Sequence, residues 1–204
     1  ISGFITFSRN SDEILEKISI KMSNTLVRRG PDSSGVWTDS RYGLSMSHRR
    51  LSIIDLSKKA AQPMQSHNKR YVLTYNGELY NFKKIKKSLE STKKKFLTSS
   101  DTEVLLELIS EKGVLEAVKQ LNGIFSFAVW DKKLKKLFIV RDRVGIKPVY
   151  IYWDQKTLAF ASELKALKKL PWLKLEIDLK SVSNYVRLNY IPAPYSIYEN
   201  VIKL

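Results

Sequence analysis

The fold prediction starts from the sequence Val72-Leu73-Thr74-Tyr75-Asn76-Gly77-Glu78-Leu79-Tyr80-Asn81. Its first four residues have the composition of a β-strand, and Asn-Gly is a strong short signal for a hairpin turn. Two other polar clusters interrupt strand-like segments in the same way, and they are Arg28-Arg29-Gly30-Pro31-Asp32 and Arg49-Arg50-Leu51-Ser52-Ile53-Ile54-Asp55. The three clusters together predict a binding site for a small polar ligand.

Strand-like segments outnumber helix-like segments, and the helices are grouped between runs of strands. This order favours an α+β layered architecture over a doubly wound parallel sheet. The first predicted helix begins with a capping box at Asn10 and Glu13 and buries Ile14, Ile18, Met22 and Leu26. A second helix buries Phe82, Ile85 and Leu89, a third begins at Ser100-Asp101, and a short fourth helix contains Val114, Leu115 and Val118. The last helix is capped by Asp178 and buries Val182, Tyr185 and Val186.

Composition limits the classes of protein to which the chain can belong. At 204 residues and 43% hydrophobic content it is long enough for one globular domain, and no apolar run approaches the roughly 20 residues of a membrane span. The absence of cysteine excludes disulfides, thiolate metal sites and thiol nucleophiles, which agrees with a cytoplasmic protein. The net charge of +16 comes mostly from scattered lysines without a nucleic-acid-binding motif, so a solvated surface is favoured over nucleic acid as a partner.

The chemistry depends on a few polar residues. The sequence contains no phosphate-binding loop, no serine-hydrolase elbow and no His-Glu-x-x-His zinc motif, and His48 and His67 are interpreted as structural. Ser2, Arg50, Asn76-Gly77-Glu78 and Asp101 are then the candidate site residues. Each has a simpler alternative, because Asn-Gly could be only a hairpin turn, Asp101 only a helix cap, and Arg50 only a surface ion pair.

Taken together, the same residues fit a site for an amino acid that carries a side-chain amide. Arg50 offers a planar fork to an α-carboxylate, and Asp101 offers a carboxylate to an α-ammonium. The Asn76 side chain and the Gly77 N–H could stabilise an oxyanion. A nucleophile at the start of the chain could use its own α-amine as the base, because that amine has a pKa of about 8. This arrangement predicts an amidohydrolase.

The chain resembles the class II glutamine amidotransferase domain of bacterial glutamine-dependent asparagine synthetases. The resemblance covers essentially the whole chain, residues 1–204. The motifs that carry it are Arg29-Gly30-Pro31-Asp32, His48-Arg49-Arg50-Leu51-Ser52-Ile53-Ile54-Asp55, Gln62-Pro63-Met64, Tyr75-Asn76-Gly77-Glu78-Leu79-Tyr80-Asn81, Ser100-Asp101-Thr102-Glu103, Leu121-Asn122-Gly123, Arg141-Asp142-Arg143-Val144-Gly145-Ile146-Lys147-Pro148 and Tyr190-Ile191-Pro192-Ala193-Pro194.

The resemblance implies a four-layer N-terminal-nucleophile hydrolase fold, in which two stacked antiparallel sheets lie between helical layers. It implies that Asn76 and Gly77 form the oxyanion hole. The L-glutamine pocket would comprise these two residues with Arg50, Leu51, Ser52, Ile53, Ile54, Glu78 and Asp101. In this pocket, Leu51 to Ile54 would form a strand that lines it.

For the full protein the resemblance implies a ligase of asparagine biosynthesis. In that family, ammonia from glutamine passes to a second, C-terminal synthetase domain that uses ATP and Mg²⁺ to activate aspartate. Residues from about 171 to 204 would lead toward that domain, which this chain lacks. No cofactor or metal is expected in the amidotransferase domain itself, and a homodimer is compatible with the family.

The start of the chain departs from the family pattern. The family begins Met-Cys-Gly-Ile and removes the methionine, whereas this chain begins Ile1-Ser2-Gly3-Phe4. Ser2 therefore occupies the nucleophile position with a hydroxyl in place of a thiol, and Ile1 ties up its amine in a peptide bond. Either difference predicts an inactive glutaminase. The alternative function is a non-catalytic scaffold domain of a related enzyme that forms amide or lactam bonds.

Overall fold

The computed structural model describes residues 1–8 and 10–204, and it consists of antiparallel β-sheets and helices. The predicted α+β class is therefore confirmed. The strands are β1 (Ser2–Thr6), β2 (Ser33–Asp39), β3 (Leu44–Arg50), β4 (Met64–Gln65), β5 (Tyr71–Leu79), β6 (Gly123–Asp131), β7 (Lys136–Arg141), β8 (Tyr150–Trp153), β9 (Thr157–Ala161) and β10 (Val201–Lys203). The helices are α1 (Asp12–Asn24), α2 (Phe82–Glu90), α3 (Asp101–Lys112), α4 (Val114–Lys119), α5 (Leu164–Leu167) and α6 (Leu179–Leu188).

The chain divides into two compact units. The first comprises Ile1–Arg28, Val36–Ser47 and Pro148–Leu204, and the second comprises Arg29–Gly35 and His48–Lys147. One sheet has the strand order β10-β8-β9-β1-β3-β2, and the other has the order β4-β5-β6-β7.

In the first unit, β1 is an inner strand with antiparallel partners on both sides. It pairs with β3 and with β9, so that Ser2 lies opposite Ser47 on one side and Ala161 on the other. Phe4 of β1 is fully buried, and the ring of Trp172 packs edge-on against it at 5.5 Å between centroids. The start of the chain is thus fixed in the interior of a sheet.

Helix α1 differs from the prediction in its cap and in its buried face. The cap is Ser11, whose side chain accepts a hydrogen bond from the Ile14 N–H, and it is not Asn10. Leu15 is fully buried and Ile14 is exposed, although Ile14 was expected to face inward. A strict four-residue spacing advances 400° in place of 360°, so the first residue of such a series leaves the buried face.

The second unit is built around the long pairing of β5 with β6. The register runs from Tyr71 opposite Asp131 to Leu79 opposite Gly123 without interruption. Alternate residues of both strands pack against α2 and α3 in one apolar core. The predicted inward residues Ile85 and Leu89 of α2 belong to that core.

Asn76-Gly77 lies inside strand β5, so the hairpin-turn interpretation of this dipeptide is wrong. A Cβ atom at Gly77 would clash with the Ile124 carbonyl oxygen and would lie 2.6 Å from the Phe125 Cα. Glycine is therefore needed here because two strand backbones approach closely, and a turn conformation is not the reason.

Asp178 caps helix α6 as predicted, and its side chain accepts a hydrogen bond from the Lys180 N–H. The predicted buried face is wrong, because Tyr185 and Val186 are exposed and Ser181 is the buried residue of this helix. The Ser181 hydroxyl donates to the Asp178 carboxylate at 2.6 Å, which satisfies this polar group on the inward side. Within the described ranges 1–8 and 10–204, no helix has the length and apolar character that crossing a membrane requires.

Candidate active site

The predicted nucleophile position, Ser2, is the first residue of β1 and is fully buried. Its Oγ lies 2.7 Å from the Oγ of Ser47, and the Ser47 hydroxyl also lies 3.2 Å from the Ser2 carbonyl oxygen, to which it donates. Either hydroxyl can be the donor in the contact between Ser2 Oγ and Ser47 Oγ. A hydroxyl is a poor general base near neutral pH, so this contact does not activate Ser2. The Ile1 ammonium donates to Ser162 Oγ at 3.0 Å.

Arg50 is the last residue of β3, and it is only 9% exposed. Its Nη1 donates to the Ser57 carbonyl at 2.9 Å, and its Nη2 donates to the Asp55 carbonyl. The surface ion-pair interpretation is therefore wrong. These contacts fix the orientation of a guanidinium that has five N–H donors, which is the kind of group that can present a rigid fork to a carboxylate.

The segment Leu51–Ile54 is a loop, and the expected strand at these residues is wrong because β3 ends at Arg50. Hydrogen bonds to side chains, and not pairing with another strand, hold this loop. The Ser52 N–H donates to Asp32 Oδ2 at 2.7 Å, and the Ser99 N–H donates to Asp55 Oδ2 at 2.9 Å. The hydrogen bonds that Asp55 accepts from Ser57 and Ser99 hold the pKa of its carboxyl well below its usual range. Leu51 and Ile53 are exposed, and their place in the pocket stays a prediction.

The Arg-Gly-Pro-Asp cluster and the Arg50 cluster form one local structure. The Asp32 N–H donates to the Arg50 carbonyl at 3.0 Å, in addition to the contact of its side chain with Ser52. A Cβ at Gly30 would clash with the Arg49 carbonyl group. The glycine and the aspartate of the first cluster are thus explained by the loop that they support.

Asn76 and Gly77 lie next to each other in β5, and Glu78, which follows them, is exposed. The Asn76 Nδ2 atom is buried and has no hydrogen-bond partner in the part of the chain that the structure describes. Buried polar groups in native proteins are nearly always bonded, so an unbonded amide donor requires an explanation such as a ligand. This geometry is compatible with the predicted oxyanion hole.

Asp101 connects α3 to β5. Its Oδ2 accepts from the Tyr75 hydroxyl at 2.8 Å and from the Leu79 N–H at 3.0 Å. The cap of α3 is Ser100, whose side chain accepts from the Glu103 N–H, so the interpretation of Asp101 as only a cap is wrong. Burial raises the pKa of Asp101, and it also raises the pKa of the Tyr75 hydroxyl.

The second unit therefore links three of the predicted site elements. Asp55 of the Arg50 loop binds Ser99, the chain continues through Ser100 to Asp101, and Asp101 binds β5 on either side of Asn76. Sequence reasoning missed two residues of this framework. Gln62 accepts from the Tyr75 N–H at 2.6 Å, and the Tyr75 hydroxyl binds Asp101. Both residues belong to motifs that carry the family resemblance, and this was the only signal in the sequence that could have identified them.

His48 is a buried structural residue, as predicted. Its Nε2 lies 3.0 Å from the Tyr75 carbonyl, which can only accept, so Nε2 carries the proton. Burial lowers the pKa of His48 to about 3. His67 binds Glu103 at 2.9 Å. Across residues 1–8 and 10–204, no group of three His, Asp or Glu side chains is arranged to hold a metal ion.

His48 is expected to make the protein less stable as the pH falls from about 6.5 to about 3. In this window the unfolded chain binds a proton that the folded chain does not, so the free energy of unfolding falls by up to about 1.4 kcal/mol per pH unit. His48→Gln, which keeps a side-chain N–H donor, should flatten the slope between pH 6.5 and 4.5 in urea unfolding. The control is His67→Gln, and an unchanged slope in His48→Gln would contradict the prediction.

Comparisons with known proteins agree on one family. The family described as "Glutamine amidotransferase domain" matches residues 1–204. A putative glutamine-hydrolysing asparagine synthetase 2 of Methanocaldococcus jannaschii is 35% identical over 222 residues, which cover 100% of this chain and 42% of that protein. The glutamine-hydrolysing asparagine synthetase 3 of Bacillus subtilis is 38% identical over 186 residues, which cover 90% of this chain and 29% of that protein. The chain thus spans less than half of the length of these relatives.

Solved structures show the same fold. The glutamine phosphoribosylpyrophosphate amidotransferase of B. subtilis aligns with a TM-score of 0.67 and 22% identity, over 82% of this chain and 43% of that one. A second solved structure, described as the allosteric regulatory enzyme of purine biosynthesis, aligns with a TM-score of 0.68 and 22% identity, over 83% of this chain and 43% of that one.

Proposed function

Because the chain belongs to the glutamine amidotransferase domain family and has the fold of an N-terminal-nucleophile amidotransferase, we propose that it is the glutamine-binding part of an asparagine synthetase. In this proposal the domain takes L-glutamine and, with a competent nucleophile, releases glutamate and ammonia. The observation that carries the proposal is the buried Asn76 Nδ2 atom, which has no hydrogen-bond partner among the described residues and lies in the same unit as Arg50 and Asp101.

The proposed roles follow from the chemistry of each group. Arg50 binds the α-carboxylate of glutamine, and Asp101 and Glu78 bind its α-ammonium. The loop Leu51–Ile54 lines the pocket. The Asn76 amide and the Gly77 N–H donate to the oxygen of the side-chain amide, on which negative charge develops when a nucleophile at position 2 attacks the carbon. Ammonia then leaves, and water hydrolyses the acyl intermediate to glutamate.

The full protein is proposed to use the ammonia in a C-terminal synthetase domain that amidates aspartate with ATP and Mg²⁺ in the cytoplasm. The greater length of the relatives supports such a partner domain. The amidotransferase domain itself needs no cofactor in this reaction, because proton transfer and oxyanion stabilisation come from protein groups.

A second candidate function is a non-catalytic scaffold, and the contacts of Ser2 favour it. The Ser2 hydroxyl binds another hydroxyl. The Ser2 nitrogen, which would act as the base, lies in the peptide bond with Ile1. The retained Arg50, Asn76 and Asp101 arrangement argues for a domain that still binds glutamine.

L-Glutamine is expected to bind the chain as it stands, and Arg50→Lys should weaken that binding about 10-fold. A lysine ammonium keeps the charge but cannot reproduce the planar fork, and a charge-assisted hydrogen bond contributes about 1.5–3 kcal/mol. Calorimetric titration with L-glutamine measures the change.

The matched control is Arg70→Lys, because Arg70 makes a bidentate contact with Asp131 in the same unit. This control should lower the melting temperature without changing glutamine affinity. Unchanged affinity in Arg50→Lys would remove Arg50 from the pocket, and absence of saturable glutamine binding by the unsubstituted chain would contradict the proposed function.

A further inference from the structure

Two facing residues of β5 and β6 carry buried polar atoms without hydrogen-bond partners. These atoms are Asn76 Nδ2 and Ser126 Oγ, both within the described residues. Asn76 lies opposite Ser126 in the strand register. Directly opposed residues of an antiparallel pair project from the same face, with Cβ atoms about 4.5–5.5 Å apart. The two unbonded groups are therefore neighbours.

The Ser126 hydroxyl has no evident structural purpose at this position. Ser126 is 0% exposed, and a buried hydroxyl without a hydrogen-bond partner is unfavourable. The next residue on the same face of β6 is Ala128, which is also fully buried. Alanine is thus tolerated on this face, and a serine that binds nothing would be the less stable choice.

We infer that Ser126 is a positioning residue for glutamine binding, whose hydroxyl donates to the Asn76 amide oxygen when the ligand amide accepts from Asn76 Nδ2. The inference rests on the proposed function. The terminal torsion of an asparagine side chain is broad, so a single contact does not fix the direction of its N–H donors. A rotatable hydroxyl beside it supplies the second contact. Hydrogen bonds of this kind often form fully only in the ligand complex.

The test is a cycle of calorimetric titrations on the chain as it stands, with L-glutamine and with L-norvaline, which has a methyl group in place of the carboxamide. Ser126→Ala should weaken glutamine binding about 5-fold, as expected for about 1 kcal/mol from one hydrogen bond, and should leave norvaline binding unchanged. In an Asn76→Ala background, the same substitution should produce no further weakening, because Ser126 acts through Asn76.

Ser66→Ala is the matched control, because the buried Ser66 hydroxyl accepts from the Tyr71 N–H at 3.0 Å. It should lower the melting temperature and keep the ratio of glutamine to norvaline affinity. The inference would be overturned if Ser126→Ala weakened the binding of both ligands equally, did not weaken glutamine binding, or still weakened it in the Asn76→Ala background. These outcomes would leave the proposed function unaffected. If the unsubstituted chain binds no glutamine, the proposed function fails and the inference fails with it.

Discussion

A chain that begins with cysteine in place of Ile1-Ser2 is expected to hydrolyse L-glutamine at least about 10²-fold faster than the chain as it stands, which should release no ammonia above background. The new terminus combines a thiol of pKa about 8.5 with an α-amine of pKa about 8. Ser2 offers only a hydroxyl bonded to Ser47. A positioned base alone typically contributes about 10²–10⁴ in rate. Ammonia release in the presence of L-glutamine measures the gain.

The matched control is Ser2→Cys with Ile1 retained, which supplies the thiol without a free amine on the same residue. Its turnover should lie far below that of the variant with the terminal cysteine. Steady ammonia release by the unsubstituted chain would show that the nucleophile assignment is wrong. If the variant with the terminal cysteine binds glutamine but does not hydrolyse it, the scaffold function is favoured.

In the variant with the terminal cysteine, Asn76→Asp is expected to lower glutamine turnover by about 10²–10³-fold while the chain remains folded. Loss of one oxyanion donor typically costs this much, and the new carboxylate would also repel the developing negative charge. Asn76 lies within β5 and not in a turn. Aspartate is nearly the same size and preserves the strand pairing, but its partly buried carboxylate lowers stability, so turnover is compared well below the melting temperature of the variant.

Asn68→Asp is the control for the change of charge. The Asn68 Oδ1 accepts from the Ser66 hydroxyl and from the Arg70 N–H, and a carboxylate oxygen can accept the same two bonds. This variant should keep the turnover and the melting temperature of its parent. Parental turnover in Asn76→Asp would remove Asn76 from the oxyanion hole.

Several assignments could be made from local signals alone. The cap of α3 at Ser100-Asp101 and the buried residues Ile85 and Leu89 of α2 were predicted correctly, because caps and helical periodicity depend on residues within a few turns. The α+β class followed from the order of the elements. The family followed from many short motifs in sequence order, and the family match over residues 1–204 confirms it.

Other assignments failed because they depend on partners distant in sequence. Asn76-Gly77 has the local signature of a turn, but pairing of β5 with β6 extends the strand through it. Leu51–Ile54 has a strand-like composition, but contacts with Asp32 and Ser99 fix its neighbourhood as a loop. The inward face of α6 contains the buried Ser181, so apolar periodicity did not identify it.

The sequence by itself determined the family, the α+β class and which residue types are present for binding an amino acid amide, because these depend on composition, order and motif. Only the tertiary structure decided that Asn76 faces Ser126, that the guanidinium of Arg50 is fixed by loop carbonyls, and that the Ser2 hydroxyl binds Ser47. Each of these contacts joins groups through strand register or loop closure. Such pairings are selected by the free energy of the whole fold, and no short stretch of sequence encodes them.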